Sequence, residues 1–358
     1  MTIDFSEIQQ KYKDLEYSPF KLSNIKKAIQ SAEEERDYYW QLKFMRDYIY
    51  EVTFEGDLLL EMLMFPQYLS LYDAHPELHQ RYSVKDFLLV YKWILLDLSG
   101  FYQVSYEKAI EYLEDFKKRC VQNGYSLREY YKCLSSFLEH IDEGKYIEIR
   151  KKYFAEKRDN LSNYCEACEL NSKVYFELYH GSFKKALELA QPILKGEKRC
   201  SCIPRITYNN FLDYYMNYEK NIKKAAVYEK LLIREMKDFK DLTNISTLLQ
   251  YYALTDINKG LRMWKKYIYL DIKNHYPLEQ FFFEKEACFL LKKVREYRKK
   301  KTLKIQLPKE FFLYREDDIY NLDELISYYQ NNVTEIAEKF DKRNKNDKFK
   351  KRLEYFNF

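Results

Sequence analysis

The 358 residues include 61 Lys and Arg against 56 Asp and Glu; 46% are apolar and 33% charged. So much apolar material with so small a net charge suffices for a core, which excludes intrinsic disorder. Seven Gly and seven Pro are too few to turn a many-stranded sandwich, barrel or propeller, so the arithmetic points to helices.

The opening MTIDFSEIQQKYKDLEY is acidic and polar, unlike the basic head and apolar run of a signal peptide. The longest apolar stretches, 58–72 and 87–98, are broken by Glu61, Pro66, Lys92 and Asp97. Neither reaches the roughly 20 residues that a bilayer requires. A cytoplasmic protein with no membrane contact is expected.

Helical periodicity is continuous from about Ser23, with apolar residues three and four apart. Within an N-terminal helical region, 1–85, the pattern predicts a long helix over 32–53, a turn at 54–57 and a partner helix over 58–72, closed by Asp73-Ala74-His75-Pro76. Residues 86–275 form an array. Its short breaks are related: Ser105-Tyr106-Glu107-Lys108-Ala109, Lys145-Tyr146-Ile147-Glu148-Ile149, Ser182-Phe183-Lys184-Lys185-Ala186, Asn221-Ile222-Lys223-Lys224-Ala225 and Asp256-Ile257-Asn258-Lys259-Gly260. Aligning Tyr106, Tyr146, Phe183, Ile222 and Ile257 gives spacings of 40, 37, 39 and 35 residues. We read each period as an antiparallel helix pair. A bulky residue opens the second helix, and a small one three positions later lets the two backbones approach; Ile149 is the exception. The C-terminal region, 276–358, departs from the period. A helix over 278–301, an extended stretch over 303–308 and helices near 321–330 and 334–342 are expected there as a cap.

His180-Gly181-Ser182-Phe183-Lys184-Lys185-Ala186-Leu187-Glu188-Leu189-Ala190 resembles the second-helix half of a tetratricopeptide repeat, with its turn glycine, aromatic and two small residues four apart. The Trp and Leu-Gly of that family's first helix are missing, and the spacings exceed 34. The resemblance covers roughly 86–270. It implies an all-α, right-handed α-solenoid whose first helices line a groove that holds a peptide segment or protein partner. Carrying an offset of 39 across the two best-matched periods aligns Asn171 with Asn210, Tyr175 with Tyr214 and Tyr179 with Tyr218. In each trio the spacing of four places all three side chains along one helix face. Tyrosine offers rigid contact area with a polar tip, and 37 tyrosines make it the most unusual feature of the composition. By the resemblance, Asn171 and Asn210 would hold a bound backbone.

Catalytic signals are weak, and no enzyme activity or cofactor is expected. The glycines are scattered singly, so no phosphate-cradling loop is present, and there is no G-x-S-x-G elbow. His75 and His79 stand four apart without an evident third ligand. Cys165-x-x-Cys168 with Cys200-x-Cys202 has the donor count of a four-thiolate zinc site, but buried cysteine commonly serves as a small apolar filler, and core packing is the expectation. Charge is uneven: 292–304 carries a net +7 and 338–354 a net +4, leaving −6 elsewhere. Arg298, Lys299, Lys300 and Lys301 are therefore candidates for a nucleic-acid contact, set against a helix end whose dipole favours cations. The expected function is a non-catalytic interaction scaffold, either an adaptor or an inhibitor such as the immunity partner of a bacterial toxin.

Overall fold

A computed structural model describes residues 3–55, 57–236 and 241–354. Gly56, expected in the turn at 54–57, lies outside them. The described residues contain seventeen α-helices and one two-stranded hairpin, and none of the helices is long and apolar enough to cross a membrane. The chain divides into two compact units, the first running to Ser162 with the addition of Arg343–Lys345, the second holding the remainder. The boundary falls inside the stretch read as one array.

In the first unit, α1 (Phe5–Lys13) and α2 (Pro19–Glu34) precede three helix pairs: α3 (Tyr38–Glu55) with α4 (Leu58–Ala74), α5 (Val84–Asp97) with α6 (Tyr106–Gln122), and α7 (Arg128–Leu138) with α8 (Glu143–Ala155). First helices stack on first helices, α3 on α5 and α5 on α7. The single helix expected over 32–53 is two. Arg36 takes a left-handed backbone (φ 56°), and the Asp37 carboxylate accepts the Trp40 N–H to start α3 afresh. His75 stacks on Tyr38 and His79 on Tyr72, so both imidazoles serve packing.

The second unit repeats the plan with α9 (Glu166–His180) and α10 (Phe183–Leu194), α11 (Arg205–Asn217) and α12 (Ile222–Glu235), and α13 (Leu242–Thr255) and α14 (Ile257–Lys273). Here α9 packs on α11 and α11 on α13. The long α15 (Pro277–Arg298) covers α13 and α14. It stops at Lys299, whose φ of 53° ends the helix before the expected 301. Of the stretch expected to be extended, 303–308, only Leu303 and Lys304 lie in a strand, β1 (Thr302–Lys304), paired antiparallel with β2 (Ile319–Asn321). The two helices expected at 321–330 and 334–342 are one, α16 (Leu322–Asn344). The Thr334 hydroxyl turns back onto the Gln330 carbonyl and Asn332 donates to Glu284, so neither side chain competes to break the helix. A last short helix, α17 (Lys348–Glu354), follows.

Four of the five aligned breaks fall at the first residue of a second helix: Tyr106, Phe183, Ile222 and Ile257. The fifth is displaced by three residues. Asp142 caps α8 by accepting the Lys145 N–H, as Ser105, Asn221 and Asp256 cap their helices, so the residue equivalent to Tyr106 is Glu143. Tyr146 then occupies the position held elsewhere by Ala109, Ala186, Ala225 and Gly260, and all five are buried. The seventh and tenth residues after each helix start are buried in all five helices as well, giving one inward face at helical spacing. The sequence period thus coincides with a recurring pattern of burial in these five helices.

Gly260 shows why a small residue is needed. A Cβ there would lie 2.6 Å from Leu290 Cδ1 and 3.3 Å from Tyr252 Cβ, in fully packed surroundings. Gly260→Leu is expected to cost about 1–3 kcal/mol through overpacking. A thermal melt unchanged from the parent would show that the α14–α15 approach is looser than this.

Candidate functional site

The candidate tyrosines come together. Tyr175 and Tyr179 lie on α9 with ring centroids 4.7 Å apart. Across the α9–α11 contact, Tyr179 meets Tyr214 at 6.2 Å and Tyr218 at 5.3 Å, both edge to face. Tyr214 and Tyr218 stack in parallel at 5.4 Å, and Phe183 covers the other face of Tyr214 at 5.1 Å. Aromatic pairs of this geometry hold one another rigidly beyond the area they bury. The ladder runs outward from half-buried Tyr179 to Tyr218, which is 60% exposed.

Its inner end is polar. Tyr179 donates its hydroxyl to Asp213 Oδ2 at 2.7 Å and to the Asn210 carbonyl at 3.1 Å. Burial, then the Asp213 charge, pushes the phenol well above the usual tyrosine range, so it stays a donor. The other Asp213 oxygen accepts from Asn217, whose amide exchanges hydrogen bonds with Gln250 of α13 at 3.1 Å in each direction. Three successive first helices are thereby tied along one line.

The asparagines sit differently. Asn171 is buried, and its Oδ1 accepts the Thr207 hydroxyl at 2.6 Å. Asn210 is also buried, with its backbone carbonyl engaged by Tyr179. Asn171 thus faces the neighbouring α11. The assumed equivalence across the two periods also slips: second helices start 39 residues apart, but first helices end 37 apart, at His180 and Asn217. The α11–α12 turn is longer by two residues. Burial follows the shorter offset, Val174 matching Phe211 and Leu178 matching Tyr215.

In the first unit, a feature that the sequence did not disclose lies on α3 and α5. Two adjoining hollows of about 280 and 520 Å³ share Lys13, Arg46 and Asp86. Lys43 and Arg81 line the smaller, and both lie over the Tyr39 ring. Tyr50 and Trp93 line the larger, and exposed Phe54 packs against both at 4.5 and 5.5 Å. Arg46 is tied to Asp47 and Asp86. The available signal was the pair of aromatics four apart, Tyr50 and Phe54, on a face otherwise polar.

Arg298 donates to Asn258 Oδ1 at 2.6 Å, while Lys299, Lys300 and Lys301 are exposed beyond the end of α15. Cys165, Cys168 and Cys200 converge, with every sulfur within 4.8 Å of the others. Cys202 is not in that group; its sulfur lies 3.7 Å from the Ser201 hydroxyl. Cys165 is exposed, while Cys168 and Cys200 are half-buried and pack against the buried Ala167, Ile193 and Ile203. Cys120, Cys133 and Cys288 are the buried fillers.

Comparison with protein-family models, with curated proteins and with solved structures gives no match.

Proposed function

We propose that the chain is a non-catalytic interaction scaffold, a tetratricopeptide-like right-handed stack of helix pairs that holds a peptide segment or protein partner as an adaptor or an inhibitor of the immunity type. The observation that carries the reading is the tyrosine ladder: four rings in mutual contact, with Tyr179 of α9 edge to face against the stacked Tyr214 and Tyr218, ending at exposed Tyr218. Rigid aromatic area beside polar groups of fixed orientation is what a docking surface uses to anchor and register a partner. The tyrosines form that surface, and Asn171 braces the helices beneath it through Thr207.

Replacing Tyr175 and Tyr218 together with alanine is expected to reduce capture of the partner from the native cell at least tenfold, with the melting temperature nearly unchanged. Asn171→Ala should act in the opposite sense, lowering stability by about 1–3 kcal/mol through the orphaned Thr207 hydroxyl and sparing capture. Undiminished capture by the double-tyrosine variant would remove the ladder from the interface.

A further inference from the structure

We propose that Cys165, Cys168 and Cys200 form a three-thiolate site for a thiophilic divalent cation, Zn²⁺, in the second unit. Two of the donors come from the start of α9. Cys165 is its N-cap, accepting the Cys168 N–H at 3.4 Å, so a single helical turn brings both sulfurs to one side. The third comes from the segment between α10 and α11. There the Cys200 N–H donates to the Ile203 carbonyl at 3.0 Å, and Ile203 is buried with Ala167 and Ile193 directly beneath the cysteines. Lys198, from the same segment, pairs with Glu166 of α9. The two backbone segments are thus held against each other by contacts independent of the sulfurs, as a preformed ligand set requires.

The spacing suits the ion. Tetrahedral zinc with Zn–S bonds of about 2.3 Å places its sulfurs about 3.8 Å apart. Here Cys168 and Cys200 are 3.5 Å apart and no pair exceeds 4.8 Å, so closure needs side-chain rotation alone. Three adjacent thiolates repel one another unless a cation sits among them. Binding forms three Zn–S bonds, releases the thiol protons to solvent and leaves one position for water on the side of exposed Cys165. The role is structural, clamping the start of α9 to the segment entering α11, beneath the first helices that carry the tyrosines.

The test uses the full chain purified without chelator from zinc-supplemented medium. Elemental analysis should give about one zinc per chain. Cobalt substitution should give the intense thiolate-to-metal absorption and visible bands of a tetrahedral site. Cys168→Ser and Cys200→Ser should each lower the bound metal at least tenfold, whereas Cys202→Ser should retain it. Zinc below a tenth of an ion per chain, retention of metal by the Cys168→Ser and Cys200→Ser variants, or a Cys168–Cys200 disulfide in place of metal would overturn the assignment. None of these results bears on partner capture by the tyrosine ladder.

Discussion

Glu129→Gln is expected to destabilise the first unit by about 3–5 kcal/mol, the cost of removing one partner from a buried ion pair. Glu129 of α7 is 2% exposed, and its Oε2 lies 3.5 Å from the Nζ of Lys92 on α5, which is fully buried and also donates to the Leu161 carbonyl at 2.9 Å. Lys132, one turn along α7, is a second buried ammonium. Burial pushes it down to about 7, with Glu129 acting in the opposite direction. One carboxylate therefore serves two cations in the same low-dielectric space, and glutamine keeps its volume while removing its charge.

The pH dependence checks this assignment. Lys132 has a folded value near 7 against an unfolded 10.5. Between these values the unfolded chain binds more protons, so stability rises with pH across that window and the penalty is fully present below about 7. Losing Glu129 enlarges the penalty, so the variant's deficit should be greatest at pH 6 and shrink toward pH 10. Hydrogen exchange of α5 and α7 amides, read at both ends of the range, measures it locally. Replacing both buried cations together with the carboxylate, as Lys92→Met, Lys132→Met and Glu129→Leu, should recover most of the loss, because apolar side chains of similar volume take the place of the ions without desolvating charge. A triple variant as unstable as Glu129→Gln would mean that packing, not charge, accounts for the cost.

Glu61, Lys92 and Asp97 are also where reading the sequence stopped short. As formal charges they interrupt apolar runs and exclude a bilayer span, an inference that needs only composition. Where each side chain points depends on which helix lies opposite. Spacing does not contain that information, and two of the three proved fully buried. The periodic signal fared better because it is local. A bulky residue followed three positions later by one admitting close backbone approach recurs once per pair, and it located the starts of α6, α10, α12 and α14 to the residue. It failed at α8, where Tyr146 fills the small-residue position and the alignment followed size instead of the Asp142 cap. The candidate site divided the same way. Four tyrosines on two helix faces were legible as a set. The burial of Asn171 and Asn210 was not, because a two-residue difference in turn length shifts the register between first helices.

Glu61→Gln is expected to stabilise the protein at neutral pH, an uncommon outcome for a core substitution. Glu61 of α4 is fully buried, and burial followed by the neighbouring Asp97 carboxylate pushes it up to about 9. The hydrogen bonding requires the same protonation. Thr53 Oγ1 lies 2.7 Å from the Ile49 carbonyl and also contacts Glu61 Oε2. Its single proton goes to the carbonyl, which can only accept, so the proton between Thr53 and Glu61 belongs to the glutamic acid. The folded value near 9 exceeds the unfolded 4.5, and between them the folded chain binds more protons. Stability therefore falls as pH rises through that window, and Asp97, pushed up to about 7 by burial, adds a slope of the same sign from 3.8 upward. Glutamine presents a permanent N–H to Thr53 and carries no such slope. Its advantage should vanish near pH 4, reach about 3 kcal/mol at pH 7 at 1.36 kcal/mol per pH unit, and grow further toward pH 9. Denaturant unfolding of both proteins at pH 4.5, 7 and 8.5 measures the divergence. Parallel stability curves would place a charged carboxylate at Glu61 and return the Thr53 proton to it.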